Sequence, residues 1–321
     1  MIEIRMARTA KMIMDTVLEV KAGEKLCIVT DTERPSTITK VLAIAAEMCG
    51  AETVIVTMKP TGMSGVEPSS MVTAAMGAAD VIINQTSHSM TFTNAQRSAV
   101  AKGARVCNIR NLNEDMMLRG GITADYREVK RISEKLAERI TKGSVVHITT
   151  PLGTDLKFSI EGRSGFVLAG YATKPGEFSG LPDGEAACAP LEGTTEGVIV
   201  NPYLIEDIDL IKEPLRIEFA KGLVTKVTGG KEADMLQKVI EKNGETARNI
   251  AEFAFGTNAA CRLNDRSREA KKKLGTCHVA IGDSVSLGGL VESPMHADIM
   301  MLNPTITIDD VLIMENGNLL V

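Results

Sequence analysis

The chain has 321 residues, 44% hydrophobic and 24% charged, with 36 Lys and Arg against 41 Asp and Glu and a formal net charge of −5. This is globular composition for two domains or one large one, and it excludes a disordered or low-complexity chain. Mild acidity, no Trp and 3% aromatics exclude a basic nucleic-acid stripe and a base-stacking platform.

In chain order, the pattern predicts an amphipathic helix over 8–20, a strand over 25–30, a helix over 37–48 closed by Gly50, and a strand over 52–58. A short apolar strand over 80–84, a helix over 93–101 and a strand over 105–109 follow. Continuous apolar strands between helices indicate a parallel sheet covered on both faces, so residues 1–142 read as a doubly wound α/β domain. No G-x-G-x-x-G follows the first strand, which runs into Thr30-Asp31-Thr32-Glu33-Arg34-Pro35, and no P-loop pattern occurs. A nucleotide cofactor is therefore not expected.

A helix over 127–141 leads into a different texture. Strand patterns fall at 145–149, 155–160, 198–202, 215–220 and 223–228, helical patterns at 231–242 and 245–255, and strands again at 278–281 and 297–301. An Asn316-Gly317 hairpin turn closes the chain. Residues 143–321 thus read as a β-rich domain with inserted helices.

No apolar run is long enough to span a membrane, and Glu3, Arg5, Arg8, Lys11 and Asp15 leave no room for a signal-peptide core. A cytoplasmic protein is expected. The six scattered cysteines form no C-x-x-C pair and are expected to be reduced. The basic run from Arg266 to Lys273 reads as a solvated helix face.

Four segments could carry chemistry. In Met295-His296-Ala297-Asp298, alternate strand residues share a face, so His296 and Asp298 can converge as a metal-ligand pair or as a hydrogen-bonded pair at a strand end. In Gly275-Thr276-Cys277-His278-Val279-Ala280-Ile281-Gly282, the histidine is either a ligand or a satisfied core residue. Glu185 follows the turn Leu181-Pro182-Asp183-Gly184. Glu252 lies in the apolar stretch 250–255, read as helical, where a buried carboxylate needs a partner such as a cation.

Together and in this order, the four segments resemble the thermophilic-type metallo-aminopeptidase family, from Gly153-Thr154-Asp155 to the C-terminus. The resemblance implies a ligand set of Glu185, Glu252, His278, His296 and Asp298 holding two divalent ions (Zn, Co or Mn) around an activated water. Glu185 or Glu252 would move the proton. A small peptide or amide would be the substrate, in a homo-oligomer without nucleic-acid or membrane partners. The family's tyrosine after the first histidine is missing: the stretch reads Asp283-Ser284-Val285-Ser286-Leu287-Gly288.

The same segments are similar to a second branch, the 2,5-dihydroxypyridine dioxygenases. That similarity implies one Fe(II) held by His278, His296 and Asp298, two histidines and one carboxylate. Thr86-Ser87-His88-Ser89, after the 80–84 strand, resembles the substrate-contacting histidine segment of those enzymes. A loop or capping role would explain His88 equally well. His147, inside a strand pattern, reads as structural.

Overall fold

The computed structural model describes residues 1–91, 93–265 and 267–320. Arg266 of the basic run lies outside the described residues. In chain order the elements are α1 (Ile2–Met12), β1 (Lys25–Asp31), α2 (Ser36–Met48), β2 (Glu52–Met58), α3 (Ser70–Gly77), β3 (Val81–Gln85), α4 (Asn94–Ala101) and β4 (Arg105–Asn108). Next come α5 (Glu114–Leu118), α6 (Tyr126–Lys142), β5 (Val145–Thr149), β6 (Asp155–Ser159), β7 (Phe166–Leu168), β8 (Phe178–Gly180), β9 (Glu185–Cys188) and β10 (Glu196–Val200). Then follow β11 (Leu204–Ile205), β12 (Asp209–Leu210), β13 (Leu215–Ala220), β14 (Leu223–Gly229), α7 (Lys231–Asn243) and β15 (Ile250–Gly256). The last are α8 (Ser267–Ala270), β16 (Thr276–Gly282), β17 (His296–Leu302), β18 (Thr305–Ile308), β19 (Val311–Glu315) and β20 (Asn318–Leu319).

The chain divides into two compact units, Met1–Tyr126 with Ala169–Asp183, and Arg127–Leu168 with Gly184–Val321. Residues 127–142 therefore cluster with the β-rich unit, and 169–183 return to the first one.

The first unit is the doubly wound α/β domain expected. Its sheet has the order β2-β1-β3-β4-β8, every pair parallel. Side chains alternate between two cores: Leu26, Ile28, Val81 and Ile83 pack with α1 and α2, while Cys27, Val29 and Ile82 pack with α3 and α4. Burial on both faces is why these strands read as continuous apolar runs. Helix α4 starts where Thr93 Oγ1 accepts a hydrogen bond from Gln96 N–H (3.2 Å), a side-chain cap. The sheet order turns back between β1 and β3, and ligand crevices of such sheets lie at the carboxyl ends of the strands there.

The second unit contains two antiparallel sheets, β14-β13-β10-β6-β5-β18-β19-β20 and β12-β11-β17-β16-β15-β9-β7. Val146, Ile148, Leu156, Phe158 and Ile217 of the first sheet share one core with Phe253, Phe255, Val279, Ile281, Ile299 and Met301 of the second. Helices α6 and α7 add Leu136, Ile140, Leu236 and Ile240. The Asn316-Gly317 turn joins β19 to β20 with both residues at positive φ (45° and 80°), as its sequence required. All six cysteines are free, and no described helix is long and apolar enough to cross a membrane.

One element departs from its sequence pattern in a way that matters. Residues 245–255, read as helical, form a 3₁₀ turn (Glu245–Arg248) followed by β15. A short run that is apolar except for Glu252 fits a buried strand as well as a helix, and cross-strand pairing decides between them.

Phe253 anchors the core beneath that strand, edge-on to Phe158 (5.3 Å between ring centroids) and to Phe255 (4.9 Å). Truncating it leaves a void between two sheets, so Phe253→Ala is expected to lower stability by ~3–5 kcal/mol. Urea denaturation followed by circular dichroism measures this, and a cost under about 1 kcal/mol would contradict the packing described.

Candidate metal centre

Four neighbouring strands of the seven-stranded sheet present the predicted donors on one face. The register pairs Ala280 with Asp298 and with Glu252, His278 with Met300 and with Ala254, and Glu185 with Gly256. Alternation then sets His296 and Asp298 of β17, His278 of β16, Glu252 of β15 and Glu185 of β9 on one side, with the apolar core on the other. Residues between the donors are small (Ala187, Ala254, Gly256, Ala280 and Gly282), and backbone of the neighbouring segments packs closely over Gly256 and Gly282. Cys188 and Cys277 occupy the core face, and burial pushes their thiols up, that of Cys188 to about 12, so neither supplies a thiolate near neutral pH.

Glu252 reaches this face through an irregularity. Between Ile250 and Glu252 the pairing with β16 shifts, from Ile250 opposite Ile281 to Glu252 opposite Ala280. Without a bulge, residues two apart point the same way. With it, Ile250 stays in the core while Glu252 turns to the donor side. This irregularity also removed the alternation that would have marked the segment as a strand.

The donors converge in two overlapping groups, Glu185–Glu252–His278 and Glu252–His296–Asp298, each with ligand atoms within 4.8 Å of one another. His278 Nε2 lies 3.4 Å from Glu185 Oε2 and from Glu252 Oε1. His296 Nε2 lies 2.8 Å from Glu252 Oε2 and 3.4 Å from Asp298 Oδ1. Among the described residues, the set His278, His296 and Asp298 is not one of these groups, although each of its members belongs to one.

A divalent cation fits this donor set. His278 is fully buried, and neither ring nitrogen has a hydrogen-bond partner among the described residues, nor has Asp298 Oδ1. Buried polar atoms are normally paired, so His278 Nε2 and Asp298 Oδ1, both left without a hydrogen bond beside the other donors, mark a place for a cation. Mixed carboxylate and imidazole donors suit zinc, manganese or iron(II). His296 is already oriented: its Nδ1–H donates to the Asp283 carbonyl (2.7 Å), which turns Nε2 toward Glu252 and Asp298.

The charges confirm how polarised the cluster is. Burial opposes the imidazolium of His296, yet Asp298 and Glu252 push its pKa up to about 11. Burial likewise opposes ionisation of Asp298 and Glu252, but Lys271 and His296 hold Asp298, and His278 and His296 hold Glu252, well below the usual carboxylate range. Without metal, a proton on His296 Nε2 stands where an ion would.

The basic run is not the solvated face expected of it. Lys271 Nζ contacts Asp298 Oδ2 and lies 4.0 Å from Glu206, while Lys272 Nζ lies 2.5 Å from Glu185 Oε2. Lysines 271 and 272, Glu206 and Asp283 were missed from sequence. Three consecutive lysines carry no signal that distinguishes a partner of buried carboxylates from a solvated face. Glu185, expected beside a turn, is the first residue of β9 and is buried.

His88 lies in the first unit, three residues beyond the carboxyl end of β3. Its loop is tied to the end of β1: Ser87 N–H and Oγ–H donate to the two carboxylate oxygens of Asp31 (2.6 and 2.8 Å), and Thr86 Oγ–H donates to the His88 carbonyl (2.6 Å). This loop flanks β1 and β3, where the sheet order turns back. His147 bonds Asp155 through Nε2 (2.8 Å) on the other sheet of the second unit, away from the donor set.

A parallel α/β unit and a β-rich unit in one chain make a fold found in solved structures. The chain belongs to the NicX family, 2,5-dihydroxypyridine 5,6-dioxygenase, which it matches over residues 11–321. The 2,5-dihydroxypyridine 5,6-dioxygenase of Pseudomonas putida KT2440 is 25% identical over 186 residues, 54% of this chain. That match spans about half of the relative's length (53%). The solved structure of the 2,5-dihydroxypyridine dioxygenase from Pseudomonas putida KT2440 superposes with a TM-score of 0.82 at 18% identity, covering 99% of this chain and 98% of the other. Wild-type AmpT from Thermus thermophilus gives a TM-score of 0.72 at 15% identity, over 100% of both chains. These two likenesses concern the fold. The family match favours the dioxygenase branch of the resemblance over the aminopeptidase reading placed first from sequence.

The raised pKa of His296 fixes a sign. Its pairing stabilises the metal-free fold fully below about pH 6.5 and is lost as pH rises toward about 11. At pH 7.5 an incoming ion must displace that proton. Metal binding is therefore expected to release about one proton and to weaken about tenfold per pH unit of acidification. Titration calorimetry in buffers of different ionisation enthalpy measures the proton, and heats independent of the buffer would contradict the charge state.

Proposed function

We propose that the protein is a mononuclear iron(II) ring-cleaving dioxygenase acting on a dihydroxypyridine or a closely related hydroxylated heteroaromatic. The observation that carries this reading is the buried imidazole–carboxylate cluster in a chain that matches the dioxygenase family along nearly its whole length. His278, His296 and Asp298 would hold the metal. The chemistry that iron(II) supplies when bound by two histidines and one carboxylate is activation of dioxygen for insertion into an electron-rich ring.

The remaining roles belong to the chain's own groups. The Asp283 carbonyl fixes the His296 ring, and Lys271 holds one oxygen of Asp298 so that the other faces the donors. Glu252, buried and kept ionised between the two imidazoles, is the group placed to take the proton of a ring hydroxyl. His88 keeps the role implied by the resemblance, contact with the substrate.

A two-ion hydrolase is the second reading, favoured by one observation: Glu252 is common to both donor groups, as a carboxylate bridging two ions would be. Against it stands the stretch 283–288, which has no tyrosine.

Oxygen uptake separates the two. Protein loaded anaerobically with Fe(II) is expected to consume oxygen when given 2,5-dihydroxypyridine, with loss of the ring's ultraviolet absorbance. Asp298→Asn and His296→Ala are each expected to reduce the rate at least ~100-fold. His88→Ala is expected to raise KM more than it lowers kcat. No uptake by the iron form, with amide hydrolysis by a two-zinc form, would overturn the proposal.

A further inference from the structure

The donor cluster has enough ligands for two ions, yet cations from the chain itself already lie against it. Lys272 is 7% exposed, and its ammonium lies 2.5 Å from Glu185 Oε2. Lysine is rarely buried to this degree unless it is paired. Backbone contacts fix its position, so the pairing is more than the reach of a flexible side chain. The Asn258 N–H donates to the Lys272 carbonyl (2.9 Å), and Lys273 forms a parallel bridge with Asn258. The segment lies directly over Gly256 of β15, where a Cβ would stand 2.2 Å from the Lys273 carbonyl oxygen and 2.9 Å from that of Lys271. Glycine at 256 is therefore the condition for the lysines to reach the donor face.

The two lysines do different things. Lys271 takes Oδ2 of Asp298 and leaves Oδ1 without a hydrogen-bond partner, 3.4 Å from His296 Nε2, so it orients a donor without removing it. Lys272 sits on Glu185, a member of the Glu185–Glu252–His278 group only. A divalent ion on that carboxylate would stand beside a buried ammonium that repels it, where water screens little.

We propose that Lys272 takes the place of a second metal ion: it neutralises Glu185 and limits the cluster to one divalent ion, on the His296–Asp298 side of Glu252. This deepens the mononuclear reading above and rests on it. His278, released from the Glu185 group, is then available to the same single ion.

The test reads stoichiometry rather than turnover. After equilibrium dialysis against micromolar zinc and elemental analysis, the wild-type chain is expected to hold one zinc and Lys272→Met two. Two zinc ions in the wild type, or one in a Lys272→Met protein with native circular dichroism, would overturn the proposal. Glu185→Gln supplies the check that does not depend on Lys272→Met folding. It is expected to keep the single zinc at unchanged affinity, and a loss of ~100-fold would make Glu185 a ligand and refute the proposal. Zinc counts are independent of oxygen chemistry. Absent oxygen uptake with a single-ion count would count against the reaction and leave the role of Lys272 intact.

Discussion

The second unit is organised by one requirement: carboxylates and imidazoles buried on a sheet must have their charge compensated from within the protein. Glu185, Glu252 and Asp298 are all nearly inaccessible, and an ionised carboxylate left unpaired there would be very costly. Each has an answer in the structure. Glu185 has Lys272, Asp298 has Lys271 and His296, and Glu252 lies between two imidazoles. Within this cluster, both ring nitrogens of His278, one oxygen of Asp298 and one oxygen of Glu185 have no hydrogen-bond partner among the described residues, and of these atoms the Glu185 oxygen alone has a lysine against it.

Such a cluster can exist because the sheet keeps its two faces apart. Below it, Phe253, Phe255, Val279, Ile281, Ile299 and Met301 belong to the core shared by the two sheets. Above it, small side chains alternate with the donors, so polar groups converge without expelling one another. The core fixes the strands, the strands fix the register, and the register sets the spacing of donors on four different strands. The bulge before Glu252 interrupts the alternation, so that Ile250 faces the core while the carboxylate faces the donor side.

The sequence disclosed the parts of this arrangement that depend on local pattern. The parallel sheet was legible because its strands, covered on both faces, are unbroken apolar runs between helices. His296 and Asp298 were legible as a pair because a strand brings alternate residues together. The five residues that gather on one face of the sheet were picked out through ordered resemblance, since no single segment specified them. What stayed hidden was non-local. Strand β8 has three residues and joins the parallel sheet only after the chain has passed through the other unit. The β15 segment lost its strand signature to the bulge. Lys271 and Lys272 look like any solvated basic run, because the carboxylates they meet lie 27 and 87 positions away.

That last gap bears on how one fold can serve different reactions. Superposition with both a dioxygenase and AmpT shows that the backbone frame is common to distant proteins. Within such a frame, donor identity is a poor guide to the number of ions held, because a carboxylate satisfied by an ammonium is no longer available to a metal. The deciding quantity is the local balance of charge, to which residues outside the ligand set contribute as much as the ligands do. In this chain the lysines proposed to set that balance belong to a segment packed over Gly256, where a Cβ would meet the carbonyl oxygens of Lys273 and Lys271. A change at so small a position could alter the chemistry of the site while leaving the donors and the fold in place.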